Sequence, residues 1–226
     1  MRVVIVGGGL AGTNLAGSLG RAGHAVTLVD RDPAIATRGF TEHGLATIVG
    51  DGTEPRVLSE ADVGRADIVA AMLRRDADNL AVAAIARSLG SKRILVRLRD
   101  PSYRPIYARA GIDQVFGEIE TMVGALSVAI EHPRVRHSMV LGTGASIAFE
   151  IVVPEGAEVS GRSVRDIGTS DEFPRGAVIA GIASADGSVV APRGDSVVRG
   201  GHAILLVARG EDVTTTIELL TRLAPA

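Results

Sequence analysis

Short apolar runs alternate with longer stretches through the first half of the chain. Each apolar run ends at a glycine, a carboxylate or a turn, and most of the stretches between runs are long enough for a helix. Apolar strands that alternate with helices are typical of a parallel sheet covered on both faces. The predicted strands are Arg2–Val6, Ala25–Val29, Ala46–Val49, Ile68–Met72, Arg93–Leu98 and Gln114–Phe116, and the predicted helices include Pro33–Glu42, Asn79–Leu89 and Tyr103–Ala110.

The pattern changes in the second half of the chain. A helix predicted over Glu120–Glu131 is followed by the polar stretch His132–His137, which contains a proline. We place a domain boundary there, which gives domains of residues 1–135 and 136–226. The elements predicted beyond it are strands at Ile147–Val153, Ala177–Ala183, Ser188–Ala191 and Ala203–Ala208, a hairpin turn at Asp186-Gly187 and a helix at Thr214–Leu223. The predicted fold class is α/β: a doubly wound, Rossmann-like parallel sheet with a second, small β-rich α+β domain.

Composition and charge exclude several functions. The formal net charge is −2 with acids and bases interspersed, so the basic footprint of a nucleic-acid-binding protein is missing. The chain has no cysteine, which excludes disulfides, thiolate nucleophiles and thiolate metal sites. We see no signal peptide and no uncharged stretch that approaches the roughly 20 residues of a membrane span. We therefore expect a cytoplasmic protein that does not insert into the membrane.

A glycine motif links the first strand to the first helix. Gly7-x-Gly9-x-x-Gly12 follows the strand Arg2–Val6, and Asp30 ends the next strand eighteen residues after Gly12. In this context the glycines permit a tight turn, close approach of a diphosphate and close helix packing, while helix amides bind the anion. A carboxylate at Asp30 favours the ribose of NAD or an adenine nucleotide over NADP, although the neighbouring Arg31 weakens that discrimination.

A second polar cluster ends the third strand. Gly50-Asp51-Gly52-Thr53 lies on the same carboxyl edge of the predicted sheet, where ligands of open α/β sheets bind. Asp51 has two interpretations with about equal weight. It recognises an adenine or ribose edge, or it caps a helix that begins near Glu54.

The residues that an oxidoreductase would need beside a dinucleotide are hard to find. Neither Tyr103 nor Tyr107 is followed four residues later by a lysine, and the five histidines form no HxxxH or HxH pair. The serines lack a GxSxG elbow, and the sequence around Ser146 resembles one in glycine content only. We therefore expect no enzyme activity. An NAD-dependent oxidoreductase of a small substrate is the alternative.

Several short motifs occur in the order found in one known family. The chain resembles the RCK (regulator of potassium conductance) domains of Trk/Ktr-type bacterial potassium-uptake systems over nearly its whole length. The motifs that carry the resemblance are Gly7–Gly12, Val29-Asp30, Gly50-Asp51-Gly52-Thr53, Asp78-Asn79-Leu80, Val96-Arg97, Arg99-Asp100-Pro101-Ser102-Tyr103, Val153-Pro154-Glu155-Gly156, Gly161-Arg162-Ser163-Val164, Pro192-Arg193-Gly194-Asp195 and Gly201–Val207.

The resemblance implies a cytosolic gating subunit rather than an enzyme. Members of the family form dimers and then rings beneath a membrane potassium channel or transporter, and they respond to ATP, ADP or NAD(H) in the N-terminal domain. Some relatives bind cyclic di-AMP in the C-terminal domain. By this similarity the nucleotide would be held at Gly7, Gly9, Leu10, Ala11, Gly12, Asp30, Arg31, Asp51, Gly52 and Thr53, with Asn79 and Arg97 close by.

Two positions bear on which ligands the resemblance implies. Many ATP-responsive relatives carry an arginine directly after the second glycine of the motif, whereas this chain has Leu10 there, which favours a dinucleotide or a diphosphate. Glu118 matches a position where some relatives place a glutamate near a divalent cation. A lone carboxylate does not make a metal site, so a surface glutamate is the other interpretation of Glu118.

Overall fold

The computed structural model describes residues 1–142, 145–184 and 187–225. Its contacts divide the chain into two compact units, Met1–Glu120 and Thr121–Ala226. The boundary expected between residues 135 and 136 lies later in the chain than this division. Most of the helix Glu118–Glu131 therefore groups with the second unit.

The first unit contains a six-stranded, fully parallel sheet. Its strands are β1 (Arg2–Val6), β2 (Ala25–Asp30), β3 (Ala46–Val49), β4 (Ile68–Ala71), β5 (Ile94–Leu98) and β6 (Gln114–Gly117), and the helices of the unit are α1 (Leu10–Arg21), α2 (Pro33–His43), α3 (Pro55–Glu60), α4 (Asp76–Ser88) and α5 (Arg104–Arg109). The strand order is β3-β2-β1-β4-β5-β6, which is doubly wound around β1 and confirms the predicted fold class.

Both faces of this sheet are covered. Along β1, Val3 and Ile5 pack into one apolar cluster, and Val4 and Val6 pack into another on the opposite face. Successive side chains of a strand point to opposite faces, so a strand buried on both sides must be apolar throughout. This explains the uninterrupted apolar runs that predicted the strands.

The second unit is built on a five-stranded antiparallel sheet. The elements are α6 (Glu118–Glu131, which begins in the first unit), β7 (Val135–Leu141), β8 (Ser146–Val152), α7 (Val164–Gly168), β9 (Ala177–Ala183), β10 (Val189–Val190), β11 (Ala203–Arg209) and α8 (Val213–Thr221). The strand order is β10-β9-β11-β8-β7. The predicted hairpin is present as the pairing of β9 with β10, although Asp186 of its turn lies outside the described residues.

Only one face of the second sheet joins the core of this unit. Ile204 and Leu206 of β11 are fully buried together with Val213 and Leu220 of α8, whereas Leu205 between them is 44% exposed. Exposed apolar side chains also lie on β9 and β7. The sheet thus shows the alternation of a half-covered antiparallel sheet.

Strand β7 begins inside the polar stretch His132–His137, where no strand was predicted. It starts at Val135, which is buried and pairs with Ile151 of β8, and continues through the exposed Arg136 and His137. Because β7 is an edge strand with one covered face, its sequence is half polar. The short helix α7 was not among the predicted elements, whereas α3 begins at Pro55, beside Glu54, where a helix was expected. Among the described residues, no helix is both long enough and apolar enough to span a membrane.

Candidate functional site

The glycine loop after β1 is shaped by contacts with the protein's own backbone. Gly7 has φ +109°, and a Cβ there would lie 2.9 Å from the carbonyl carbon and oxygen of Met72 at the end of β4. A Cβ at Gly12 would overlap the carbonyl oxygen of Gly7. A side chain at either position would therefore push the loop, β4 and α1 apart, as the sequence motif predicts for a tight turn and a closely packed helix.

Gly9 differs from these two glycines because the space beside it is open. A Cβ built on Gly9 meets no atom of the described chain within 4 Å. Gly9 is the N-cap of α1, no side chain caps this helix end, and its first turn contains no acidic residue. The first helical hydrogen bond runs from Thr13 N to Gly9 O, so the amides of the first turn have no acceptor within the helix. These amides and the open space fit a phosphate group.

Asp30 anchors the glycine loop to the end of β2. Its Oδ2 accepts a hydrogen bond from Gly8 N at 2.6 Å, and its Oδ1 accepts one from Asp32 N at 2.9 Å. The hydroxyl of Thr13 donates to Gly8 O at 2.6 Å and holds the loop from its other side. Each carboxylate oxygen can accept a further hydrogen bond. Asp30 therefore combines a fixed position beside the loop with capacity for a ribose hydroxyl.

Asp51 does not cap α3. Its Oδ1 accepts hydrogen bonds from Thr53 N at 2.9 Å and Thr53 Oγ1 at 2.7 Å, whereas the N-cap of α3 is Glu54, which makes no side-chain cap. The Thr53 amide, then the Thr53 hydroxyl and more weakly the cation of Arg31 lower the pKa of Asp51 below its ordinary value. The carboxylate is thus exposed, charged and adjacent to Arg31. The structure therefore excludes one of the two interpretations of Asp51, the capping of α3 by its side chain.

Gly52 packs directly against the end of β1. A Cβ at this position would overlap Val6 Cγ1. The close approach brings the loop after β3 next to the last residue before the glycine motif. Because it has no side chain, Gly52 allows the backbone of this loop to lie against Val6.

Asn79 is a buried residue whose side chain links the backbone after β4 to the backbone of β5. Its Oδ1 accepts from Leu73 N at 2.8 Å, and its Nδ2 donates to Leu73 O at 3.1 Å and to Arg97 O at 3.2 Å. The side chain is fully buried. Because both amide protons and the amide oxygen are engaged, Asn79 shapes the loop after β4 rather than offering free groups to a ligand.

Arg97 and Glu118 form an ion pair at the β5 end of the same edge. Arg97 Nε donates to Glu118 Oε2 at 2.8 Å, and Arg99 Nε lies 3.5 Å from the same oxygen. Two guanidinium groups near one carboxylate oxygen leave little charge for a divalent cation. Within the described ranges no group of three or more histidines and carboxylates could hold a metal ion, so the cation at Glu118 stays a prediction without a ligand cluster.

The sheet order brings the predicted residues to one edge. β1 lies in the centre, with β2 and Asp30 on one side and β4 on the other, which is the topological switch point where open α/β sheets bind ligands. Arg74, which follows β4 at this edge, was not among the candidate residues named from the sequence. The signal that could have found it is its place just after the end of an apolar strand.

The comparisons with known proteins point to one family. A model of the TrkA-N domain matches residues 3–118, and a model of the TrkA-C domain matches residues 148–221. The Trk system potassium uptake protein TrkA homolog of Methanothermobacter thermautotrophicus is 29% identical over 94% of this chain and 96% of its own length. The homolog of Archaeoglobus fulgidus is 31% identical over 94% of this chain, which spans 48% of that protein.

Solved structures share the fold over the whole chain. The GsuK RCK domain has a TM-score of 0.66 and 20% identity, covering 99% of this chain and 48% of that chain. The GsuK channel bound to NAD has a TM-score of 0.67 and 20% identity, covering 100% of this chain and 40% of that chain. GsuK bound to ADP matches 59% of this chain and 35% of that chain, with a TM-score of 0.52 and 22% identity. These likenesses establish an RCK fold.

Proposed function

The chain belongs to the TrkA-N domain family and carries a TrkA-C domain, and on this premise we propose that it is a nucleotide-sensing regulatory subunit of a potassium-uptake transporter. The potassium part of the proposal is supported by relatives named as Trk potassium uptake proteins, which match 94% of the chain. The nucleotide part is supported by the geometry at the carboxyl edge of the parallel sheet. The two parts can be tested separately.

The nucleotide part rests on the glycine loop Gly7–Gly12, with the open space beside Gly9 and the amides at the start of α1, which we call the glycine cradle. The amides at the start of α1 would hold a phosphate over Gly9, and Asp30 would accept a hydrogen bond from a ribose hydroxyl. Asp51 and Thr53 lie on the adenosine side of the cradle by this placement. We propose NAD(H) or ADP/ATP as ligands, and the GsuK structures bound to NAD and to ADP support the same two classes.

We propose that the bound nucleotide is a signal rather than a substrate. A ligand shifts an equilibrium between two arrangements only by the difference of its affinities for them, and it undergoes no chemical change. The alternative, an oxidoreductase, would need a proton donor beside the cofactor. Tyr107 does not suit that role, because it is buried and donates to Asp76 O, and burial first and the charge of Asp76 second raise its pKa.

The partners follow from the family. We propose that copies of this chain assemble as a homodimer and then a ring in the cytoplasm, attached to the inner face of the cell membrane through a potassium-transport subunit. Both a cation at Glu118 and cyclic di-AMP in the second unit stay predictions. No nucleic acid is expected as a partner.

Calorimetric titration with NAD, NADH, ADP and ATP tests the nucleotide part. Asp30→Ala should weaken binding by about tenfold, because a hydrogen bond to a charged group is lost and the glycine loop is loosened. Asp67→Ala is the matched control, since Asp67 also accepts a backbone amide, Arg2 N at 2.8 Å, but at the opposite edge of the sheet. The nucleotide part fails if the wild type binds none of the four ligands or if the two variants bind equally well.

Potassium uptake by cells that lack this protein tests the transport part. Deletion should slow uptake at low external potassium, and the wild-type chain should restore it. Restoration by Asp67→Ala but not by Asp30→Ala would connect uptake to the nucleotide. Unchanged uptake after deletion would overturn the transport part and leave nucleotide binding unaffected.

A further inference from the structure

Arg74 belongs to the loop after β4, two residues beyond Met72, which lies against Gly7 of the glycine cradle. β2 and β4 flank β1 in the sheet, so Asp30 at the end of β2 and the loop after β4 border the cradle from two sides. If the ribose meets Asp30 and the first phosphate meets the amides of α1, the remaining phosphates run towards the loop after β4. This direction follows from the switch point of the sheet.

The backbone around Arg74 is held firmly. The Met72 carbonyl carbon and oxygen lie 2.9 Å from where a Cβ of Gly7 would be, so the two loops are in direct contact. Asn79 then binds both the amide and the carbonyl of Leu73 through its buried side chain. The residue that follows is Arg74. Its main-chain position beside the cradle is therefore fixed by the fold.

Arg74 also differs in charge pairing from Arg75, which follows it, and from Arg97 and Arg99 at the β5 end of this edge. Arg75 lies 3.7 Å from Asp78, and Arg97 and Arg99 both contact Glu118. Arg74 is exposed, and no carboxylate of the described residues lies within 4.0 Å of its guanidinium. An unpaired guanidinium has the planar set of donors that binds phosphate oxygens in pairs.

We propose that Arg74 binds the phosphate chain beyond the first phosphate and so makes the site select nucleoside diphosphates, triphosphates and dinucleotides over AMP. This rests on the proposed function and names the ligand class that its site prefers. Without Arg74, the cradle and Asp30 would recognise only the part of the ligand that AMP shares with the larger nucleotides.

Titration of the full chain with AMP, ADP, ATP and NAD tests the proposal. Arg74→Ala should lower the affinity for ADP, ATP and NAD by about tenfold and change that for AMP by less than about threefold. Arg75→Ala is the matched control, because it removes the neighbouring arginine, which is paired with Asp78. Arg74→Glu should reverse the preference, so that AMP binds more tightly than ADP, and thermal unfolding checks that each variant is folded.

Each outcome decides between the proposals. Equal behaviour of Arg74→Ala and Arg75→Ala, with nucleotide binding intact in the wild type, would make Arg74 an ordinary solvated arginine and overturn this inference alone. If Arg74→Ala lowered the affinities for AMP and ADP equally, the inference would also be overturned, since the residue would then not bind the phosphates beyond the first. A wild type that binds no adenine nucleotide would overturn the nucleotide site itself.

Discussion

The two sheets of this chain differ in whether their faces are exposed to solvent. In β1 of the parallel sheet, four of five residues are buried, and both faces carry packed apolar clusters. In β11 of the antiparallel sheet, buried and exposed residues alternate. A ligand can therefore approach the first sheet at the ends of its strands, where backbone groups and loops supply the chemistry, whereas the second sheet presents side chains on a face.

The largest effect that tests this contrast is expected in β11. Leu206→Ala should lower the free energy of unfolding by about 2–5 kcal/mol, because it leaves a cavity in a fully buried site. Leu205→Ala removes the same atoms from the neighbouring, 44% exposed position and should cost less than about 1 kcal/mol. Denaturant unfolding measures both. Equal losses would show that a second surface covers the Leu205 face in solution, and the contrast between the sheets would then disappear.

An intermediate effect is expected in the glycine loop. Gly12→Ala should destabilise the chain by about 1–3 kcal/mol, since its methyl group overlaps the Gly7 carbonyl oxygen. Gly9→Ala should change stability by less than about 1 kcal/mol, because the space beside Gly9 is open, yet it should weaken nucleotide binding at least about tenfold. Thermal unfolding and calorimetry separate the two. Full binding by Gly9→Ala would mean that the phosphate lies elsewhere.

The smallest effect is expected at the amino edge of the parallel sheet, where one carboxylate should make the stability of the fold depend on pH. Asp113 Oδ2 accepts from Ile94 N at 2.7 Å and from Arg87 at 2.8 Å, and chiefly the Ile94 amide lowers the pKa of this carboxyl. A lowered folded-state pKa contributes stability above the unfolded value of about 3.9, and this contribution is lost as the pH falls through the folded value. Asp113→Asn should therefore cost about 1 kcal/mol at pH 7 and progressively less as the pH falls below about 3.9.

The matched variant for this prediction lies in the second unit. Asp166 has its pKa lowered chiefly by the Ser163 hydroxyl three residues earlier, so it joins no distant parts of the chain. Asp166→Asn should show a weaker dependence of the unfolding midpoint on pH than Asp113→Asn. Identical pH profiles would contradict the difference between a carboxylate that ties strands together and one that closes a local turn.

The sequence was most informative where burial is complete. The strands of the parallel sheet were predicted because residues such as Val3 and Ile5 leave no polar gap in an apolar run. β7 was not predicted because its exposed Arg136 and His137 resemble loop residues until β8 is placed beside them. Pairing between distant segments supplies that information, and the pattern of a single segment does not contain it.

The sequence places the candidate residues at one edge of the sheet, but it does not show which contacts each of them makes within the protein. The glycine motif and Asp30 were found because their spacing is local, but the anchoring of Gly8 by Asp30 depends on two strands meeting. Asn79 was expected near a nucleotide, and the structure shows its amide fully engaged by the backbone. Arg74 was missed because the sequence does not show which arginines lack a carboxylate partner.

The helix α6 determines how this protein can be dissected. The division of the chain after Glu120 cuts α6 three residues from its start, while Val128 of the same helix belongs to the apolar core of the second unit. A fragment that stops at Glu120 ends in a remnant too short to remain helical. A fragment that begins after Glu131 has lost part of its core. Isolated halves therefore need overlapping ends, with α6 present in both.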